Sequence, residues 1–283
     1  MSSQEIDWEW IPSRPDPRSD KYPLMKSFLP TAVITIVYVM GTYFWRKKLK
    51  MTPKKEEKKT TEWSLLQYLM VFYNFCMVIY SSAVVIETIS VWYASGSSIR
   101  ALRYSKGNTD LDMRVVRVGY AFYFSKIIEL LDTLFFLLRG KVDQITFLHV
   151  FHHAAMPPSI WWGIRYAPSG VTVSFPLINS FIHVLMYTYY GLAACGAYKY
   201  LWWKEYLTLA QMIQFCLLFL HQSQVFIPGN THKDPRIFPL SIMIYSVIFL
   251  ILFGNFYIKA YWKKQRLWRM QKLEQQKLTK KTN

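Results

Sequence analysis

Apolar and polar stretches alternate along the chain, and their spacing predicts its architecture. Seven apolar runs, at about 28–45, 64–92, 118–138, 145–166, 171–195, 207–227 and 237–262, are separated by polar or basic pieces. Each is near the ~20 residues an α-helix needs to cross a bilayer. The pattern therefore predicts an all-α polytopic membrane protein with seven transmembrane helices. The second run is long enough to tilt or to extend past the bilayer. The fourth and sixth are the most polar, and the fourth contains Pro157-Pro158, which predicts a kink or a break. Residues 1–26 are polar, with Pro12, Pro15, Pro17 and Pro23, and place Asp7, Glu9 and Asp16 ahead of any apolar run. They read as an exposed arm that begins no helix, without the basic opening of a signal peptide. The chain thus divides into an arm (1–26), a seven-helix domain (27–262) and a basic tail (263–283).

Composition sharpens this reading. The 283 residues are 52% hydrophobic and 18% aromatic, high for a water-soluble domain, yet the formal charge is +17. The charge sits in loops and tails, which argues against nucleic-acid binding, since that needs a basic face on a soluble module. Arg46, Lys47, Lys48, Lys50, the lysines of 51–61, Arg139, Lys141, Lys199, Lys204 and the tail all fall on one side of the predicted membrane. The positive-inside rule puts that side, with the C-terminus, in the cytosol and the N-terminus in the lumen. Cys76, Cys195 and Cys216 lie far apart in apolar runs and read as small core hydrophobes, with no disulfide or zinc spacing.

Polar groups inside such runs are the functional candidates. His149, His152 and His153 stand at i, i+3 and i+4, so a helix places all three on one face. The third run carries Lys126, Glu129, Asp132 and Thr133. They form either an internally neutralised pair that fixes helix packing or part of a site. The fifth carries a stripe of Asn179, His183, Met186, Tyr187 and Tyr190 at helical period. The sixth carries Gln211 and Gln214, then His221, Gln222 and Gln224; His221 and His232 lie near a boundary and are weaker candidates.

Two chemistries suit four histidines on two helices. A di-iron centre needs many imidazoles, usually in three boxes, and this chain has one box among six histidines. Acyl transfer needs fewer: a neutral imidazole can attack a thioester or take a proton alpha to a carbonyl, and a neighbouring group can hold its tautomer.

The residues then match a family. His149-Val150-Phe151-His152-His153 resembles the HxxHH box of the ELO-type very-long-chain fatty acid elongases. Lys126 to Thr133 is similar to their KxxExxDT motif, Asn179 to Tyr190 to NxxxHxxMYxYY, and Thr208 to Gln214 to TxxQxxQ. HxxHH alone is shared with desaturases; the four together, in order, are specific. Two departures are local: the loop 51–61 is longer and richer in lysine, and Pro168-Ser169-Gly170 stands where Pro-Gly-Gly is often seen.

The resemblance implies that the last six helices form a barrel around a closed-ended acyl tunnel. It implies condensation of an acyl-CoA with malonyl-CoA to a 3-oxoacyl-CoA, releasing CO2 and CoA, with no metal or redox cofactor. His152 would accept the acyl group, oriented by His149 and His153. His183 would act on malonyl-CoA. Asn179, Tyr187, Tyr190, Gln211 and Gln214 would orient groups, and Lys126, Glu129 and Asp132 would hold their helix in register. Partners would be membrane lipid, a second copy of the chain, and the ketoreductase, dehydratase and enoyl reductase of the cycle. Lys280 and Lys281 resemble a dilysine retrieval signal, which implies the endoplasmic-reticulum membrane. Gln144 and Asn179-Ser180-Phe181 look like those of members taking long or very long chains, polyunsaturated ones included.

Overall fold

The computed structural model describes residues 10, 14–51, 64–95, 109–168, 173–227, 235–262, 266 and 270. Their regular structure is helical: α1 (Leu29–Met51), α2 (Leu65–Ala94), α3 (Thr109–Ile128), α4 (Leu130–Leu138), α5 (Phe147–Tyr166), α6 (Ser174–Ala194), α7 (Lys204–Ser223) and α8 (Ile237–Tyr257). α3 and α4 are one predicted run interrupted at Glu129, so the eight segments make seven rods. There the Asp132 amide donates to the Glu129 carbonyl at 3.1 Å, an i to i+3 bond that tightens the turn.

Helix ends follow local chemistry. Ser64 caps α2 by accepting the Gln67 amide, and Thr146 caps α5 by accepting the His149 amide at 3.2 Å. α3 starts at Thr109, well before its apolar run begins, so the predicted polar connection 94–117 is shorter than expected. Asp110 and Asp112 favour a first turn there, and Arg114 donates to Glu87 of α2 at 2.8 and 3.0 Å. α5 runs through Pro157 and Pro158 as one helix, so of the predicted kink or break the break does not occur. The two rings remove amide donors, yet contacts with α1, α3 and α8 hold the rod in place.

Contacts link α2 to α3, α3 to α5, α5 to α8, α8 to α7, α7 to α6 and α6 back to α2, a closed circuit with α1 outside against α5 and α4. α5 and α8 share the sparsest of these seams. α2 and the run Ile237–Trp262 are long and apolar enough to cross a membrane, with mean hydropathies of 2.0 and 2.4. Large apolar side chains such as Ile36, Phe72, Ile86 and Ile251 face outward, which suits a lipid rather than an aqueous exterior. The same geometry corrects the reading of the cysteines. Cys76, Cys195 and Cys216 are exposed, because an apolar run in a membrane helix has an apolar outside as well as a core.

The arm also differs from its reading. From residue 14 onward it is docked rather than exposed: Ser19 and Met25 are fully buried. The Asp16 amide donates to the Arg165 carbonyl at 2.6 Å, and the Arg165 guanidinium donates to the Asp16 carbonyl, Ser19 and Asp20. Sequence polarity missed this because the partners lie more than a hundred residues away.

Candidate active site

The helix interruption at Glu129 centres a buried polar network. Glu129 Oε1 accepts from Ser125 at 3.1 Å and from Lys126 Nζ at 2.7 Å, and His183 Nδ1 stands 3.2 Å away on α6. Lys126 donates a second bond to Asn179 Oδ1 at 2.8 Å, and Asn179 Nδ2 reaches Gln214 Oε1 on α7 at 3.5 Å. All five residues from Lys126 to Gln214 in this chain are buried, Glu129 at 1% exposure. An ammonium and a carboxylate so far from water stabilise one another only because further hydrogen bonds satisfy them. Among the described residues Glu129 Oε2 has no partner. A second buried carboxylate, Asp132, accepts the Tyr187 hydroxyl at 2.8 Å.

The histidine box begins one turn below the start of α5. His149 Nε2 pairs with Thr133 Oγ1 at 2.7 Å, and Thr133 also pairs with Tyr38 Oη at 2.9 Å. The His149 and His153 rings are 4.4 Å apart, and those of His152 and His153 are 5.2 Å apart. The His152 imidazole makes no hydrogen bond among the described residues and lies edge-on to Phe249, centroids 5.1 Å apart.

His152 and Asn179 border an apolar cavity with about 920 Å³ of empty space. It follows α5 past Met156, Ser159 and Gly163 to Ile164. That is roughly 18 Å at the α-helical rise. Its far end lies near Val173 and Phe238, at the arm's end of the bundle. The polar centre thus opens sideways onto a long greasy slot, and His152 is the histidine at the junction.

The structure brings together Lys126, Glu129, Asp132, His149, His152, His153, Asn179, His183, Tyr187 and Gln214. Gln211 lies apart, its amide 3.9 Å from Met186 Sδ, and Tyr190 packs at the edge of the cluster, its ring edge-on to Tyr187. His221 pairs with Ser174 away from the centre. His232, Lys280 and Lys281 lie outside the described residues. Sequence reasoning missed Tyr38, Tyr73 and Phe249. Tyr73 packs edge-on to Tyr187, centroids 5.9 Å apart, and adjoins the buried Asn74, the one polar signal that could have marked it. Among the described residues no group of three His, Cys, Asp or Glu side chains has the arrangement of a metal site.

Known proteins are similar to this chain in sequence. A family model described as "ELO: GNS1/SUR4 family" matches residues 23–267. The chain is 43% identical over 256 residues to very long chain fatty acid elongase 1 of Mus musculus, spanning 89% of this chain and 88% of the relative. It is 41% identical over 261 residues to very long chain fatty acid elongase 7 of Rattus norvegicus, spanning 91% and 89%. To very long chain fatty acid elongase 7 of Drosophila melanogaster it is 37% identical over 254 residues, spanning 89% and 74%.

Proposed function

The chain belongs to the ELO (GNS1/SUR4) family, and from that premise we propose that it is the condensing enzyme of fatty acid elongation, a 3-oxoacyl-CoA synthase working in a membrane. The observation that carries this reading is His152, hydrogen-bond-free at the junction of the buried network and the apolar slot. The acyl chain lies in the slot with its thioester carbon at His152. The seven rods span the bilayer, and the six in the contact circuit form a barrel around the chain. The exposed Lys199 and Lys204, at the opposite end from the arm, meet the CoA phosphates.

In the first half-reaction a ring nitrogen of His152 attacks the thioester carbon. The carbon–sulfur bond breaks, CoA leaves as thiolate and takes a proton, and an acyl-imidazole remains. His149 and His153 fix the attacking ring. In the second, malonyl-CoA loses CO2, and the electron pair left on its alpha carbon attacks the acyl carbon. His152 departs as leaving group and 3-oxoacyl-CoA forms. Glu129 beside His183 Nδ1 favours the imidazolium form, whose Nε2–H donates to the thioester oxygen where enolate charge grows. Asn179, Tyr187, Tyr190, Gln211 and Gln214 orient these groups. The condensation is redox-neutral, so NADPH takes no part in it, and the imidazoles supply the nucleophile without a metal. The substrates are long or very long acyl-CoA, polyunsaturated chains included.

Purified protein given acyl-CoA and labelled malonyl-CoA, without NADPH or metal, is expected to form labelled 3-oxoacyl-CoA, and His152→Ala to form none. Stoichiometric iron with oxygen-dependent turnover would point to a desaturase instead. In cells the protein sits in the endoplasmic-reticulum membrane, N-terminus lumenal and basic tail cytosolic. There it works beside the ketoreductase, dehydratase and enoyl reductase and associates with a second copy, so the purified species is expected to run as an oligomer rather than a monomer. Replacing Lys280 and Lys281 by alanine is expected to release it from that compartment.

A further inference from the structure

The N-terminal arm lies outside the motifs, yet its contacts reach the cavity wall. Met25 is fully buried and belongs to one contiguous apolar cluster with Phe122, Met156, Ile160, Ile164 and Phe249. Those five residues also line the slot. Met156, Ile160 and Ile164 follow at i, i+4 and i+8 on α5, so one stripe of α5 belongs both to the slot and to the cluster that holds the arm residue. The arm is fixed at several points. The Trp161 indole on α5 donates to the Leu24 carbonyl at 2.9 Å, and Tyr22 stacks on Tyr120 of α3 at 4.4 Å. Arg165 holds Asp16, Ser19 and Asp20. Leu24 itself has φ +66°, a conformation costly for a branched side chain and kept only where its surroundings over-determine it. The chain is thus fastened on both sides of one methionine, by Leu24 before it and by Phe28 after it, whose ring lies 5.2 Å from Trp161.

We propose that the arm is the outer wall of the acyl slot, with Met25 the residue that sets how long a chain the slot accepts. Met25 touches no reacting atom; it acts by backing the α3 and α5 side chains that the chain's far half rests on. Methionine suits this role because its unbranched thioether fills irregular gaps. A smaller residue leaves a void behind the wall, into which Met156, Ile160 or Ile164 can retreat. A larger one pushes them inward. Because close-packed interiors transmit such shifts, the length preference moves in opposite directions for the two changes.

This inference rests on the elongase reading, and the experiment separates the two. Full-length wild type, Met25→Ala and Met25→Phe are purified in detergent, and each is given a series of saturated acyl-CoAs of rising length with malonyl-CoA. The readout is the ratio of kcat/KM between consecutive lengths, a quantity that partial loss of folded protein leaves unmoved. Met25→Ala is expected to raise the long-to-short ratio by roughly three- to ten-fold and Met25→Phe to lower it by a similar factor. Lys26→Ala, at an exposed arm position next to Met25, is expected to keep the wild-type ratio. Equal ratios in wild type, Met25→Ala and Met25→Phe, even at reduced total activity, would overturn the role of the arm. An absence of elongation by wild type would instead remove the reading beneath it.

Discussion

Lys126 is the side chain whose removal reads the buried network most clearly. At 2% exposure it neutralises Glu129 and anchors Asn179, so Lys126→Met leaves a carboxylate without its cation. Breaking a buried pair from one side costs about 3–5 kcal/mol, whereas removing both charges is often close to neutral. Thermal unfolding in detergent is therefore expected to show a large fall in Tm for Lys126→Met and partial recovery in Lys126→Met/Glu129→Gln. Both are expected to lose activity: Lys126→Met takes the donor from Asn179, and Glu129→Gln also takes the carboxylate from beside His183. Asp16 makes a second case, in the docked arm. Burial raises its carboxyl, but the bonds from Arg18 and the charge of Arg165 outweigh that and hold it below the usual carboxylate range. A depressed value stabilises the docked arm at pH above the free-carboxyl range, and the contribution fades as pH falls through the lowered value. Limited proteolysis of the arm is expected to be unchanged from pH 5 to pH 8, and to quicken near neutral pH only when Asp16→Asn removes the charge.

α5 carries both the histidine box and one wall of the slot. Its residues His152, Met156, Ser159 and Gly163 run along one face from the junction into the cavity. At Gly163 an added Cβ meets nothing within 4 Å, so a side chain there projects into open space. Gly163→Leu is expected to leave short acyl-CoAs near wild-type rates and to cut the longest ones at least ten-fold, measured by product chromatography. These roles show what the chain made readable. The histidine box and the Lys126–Glu129 pair were legible because polar residues at i, i+3 and i+4 inside apolar runs have one geometric meaning. Phe249 was not, because an aromatic ring on an apolar helix looks the same whether it faces lipid or substrate. The interruption at Glu129, the early start of α3 and the unbroken passage through Pro157-Pro158 depend on neighbouring helices, which local pattern does not contain. The arm was misread for the same reason: its Met25 and Ser19 are buried by partners remote in sequence.

Among the described residues, six helical rods form a closed contact circuit with a buried polar network at its middle, an apolar slot toward the arm and basic residues at the other end. Hydropathy fixed the number of rods, and charge bias their expected direction, but neither reveals which helix faces which. The circuit is thinnest between α5 and α8, where the Ser159 hydroxyl donates to Tyr245 Oη at 2.9 Å and Phe249 lies against Phe151 and His152. Under the proposed function this arrangement separates two jobs: the slot would measure the chain, and His152 would receive it. The covalent step at His152 is the centre of the account, and intact-peptide mass spectrometry tests it directly. Wild-type protein is mixed with acyl-CoA alone, quenched, digested and sequenced. The account expects an acyl-sized mass increase on His152 that disappears when malonyl-CoA is added before the quench. Full condensing activity with no adduct, or an adduct on a different residue that malonyl-CoA discharges, would contradict it.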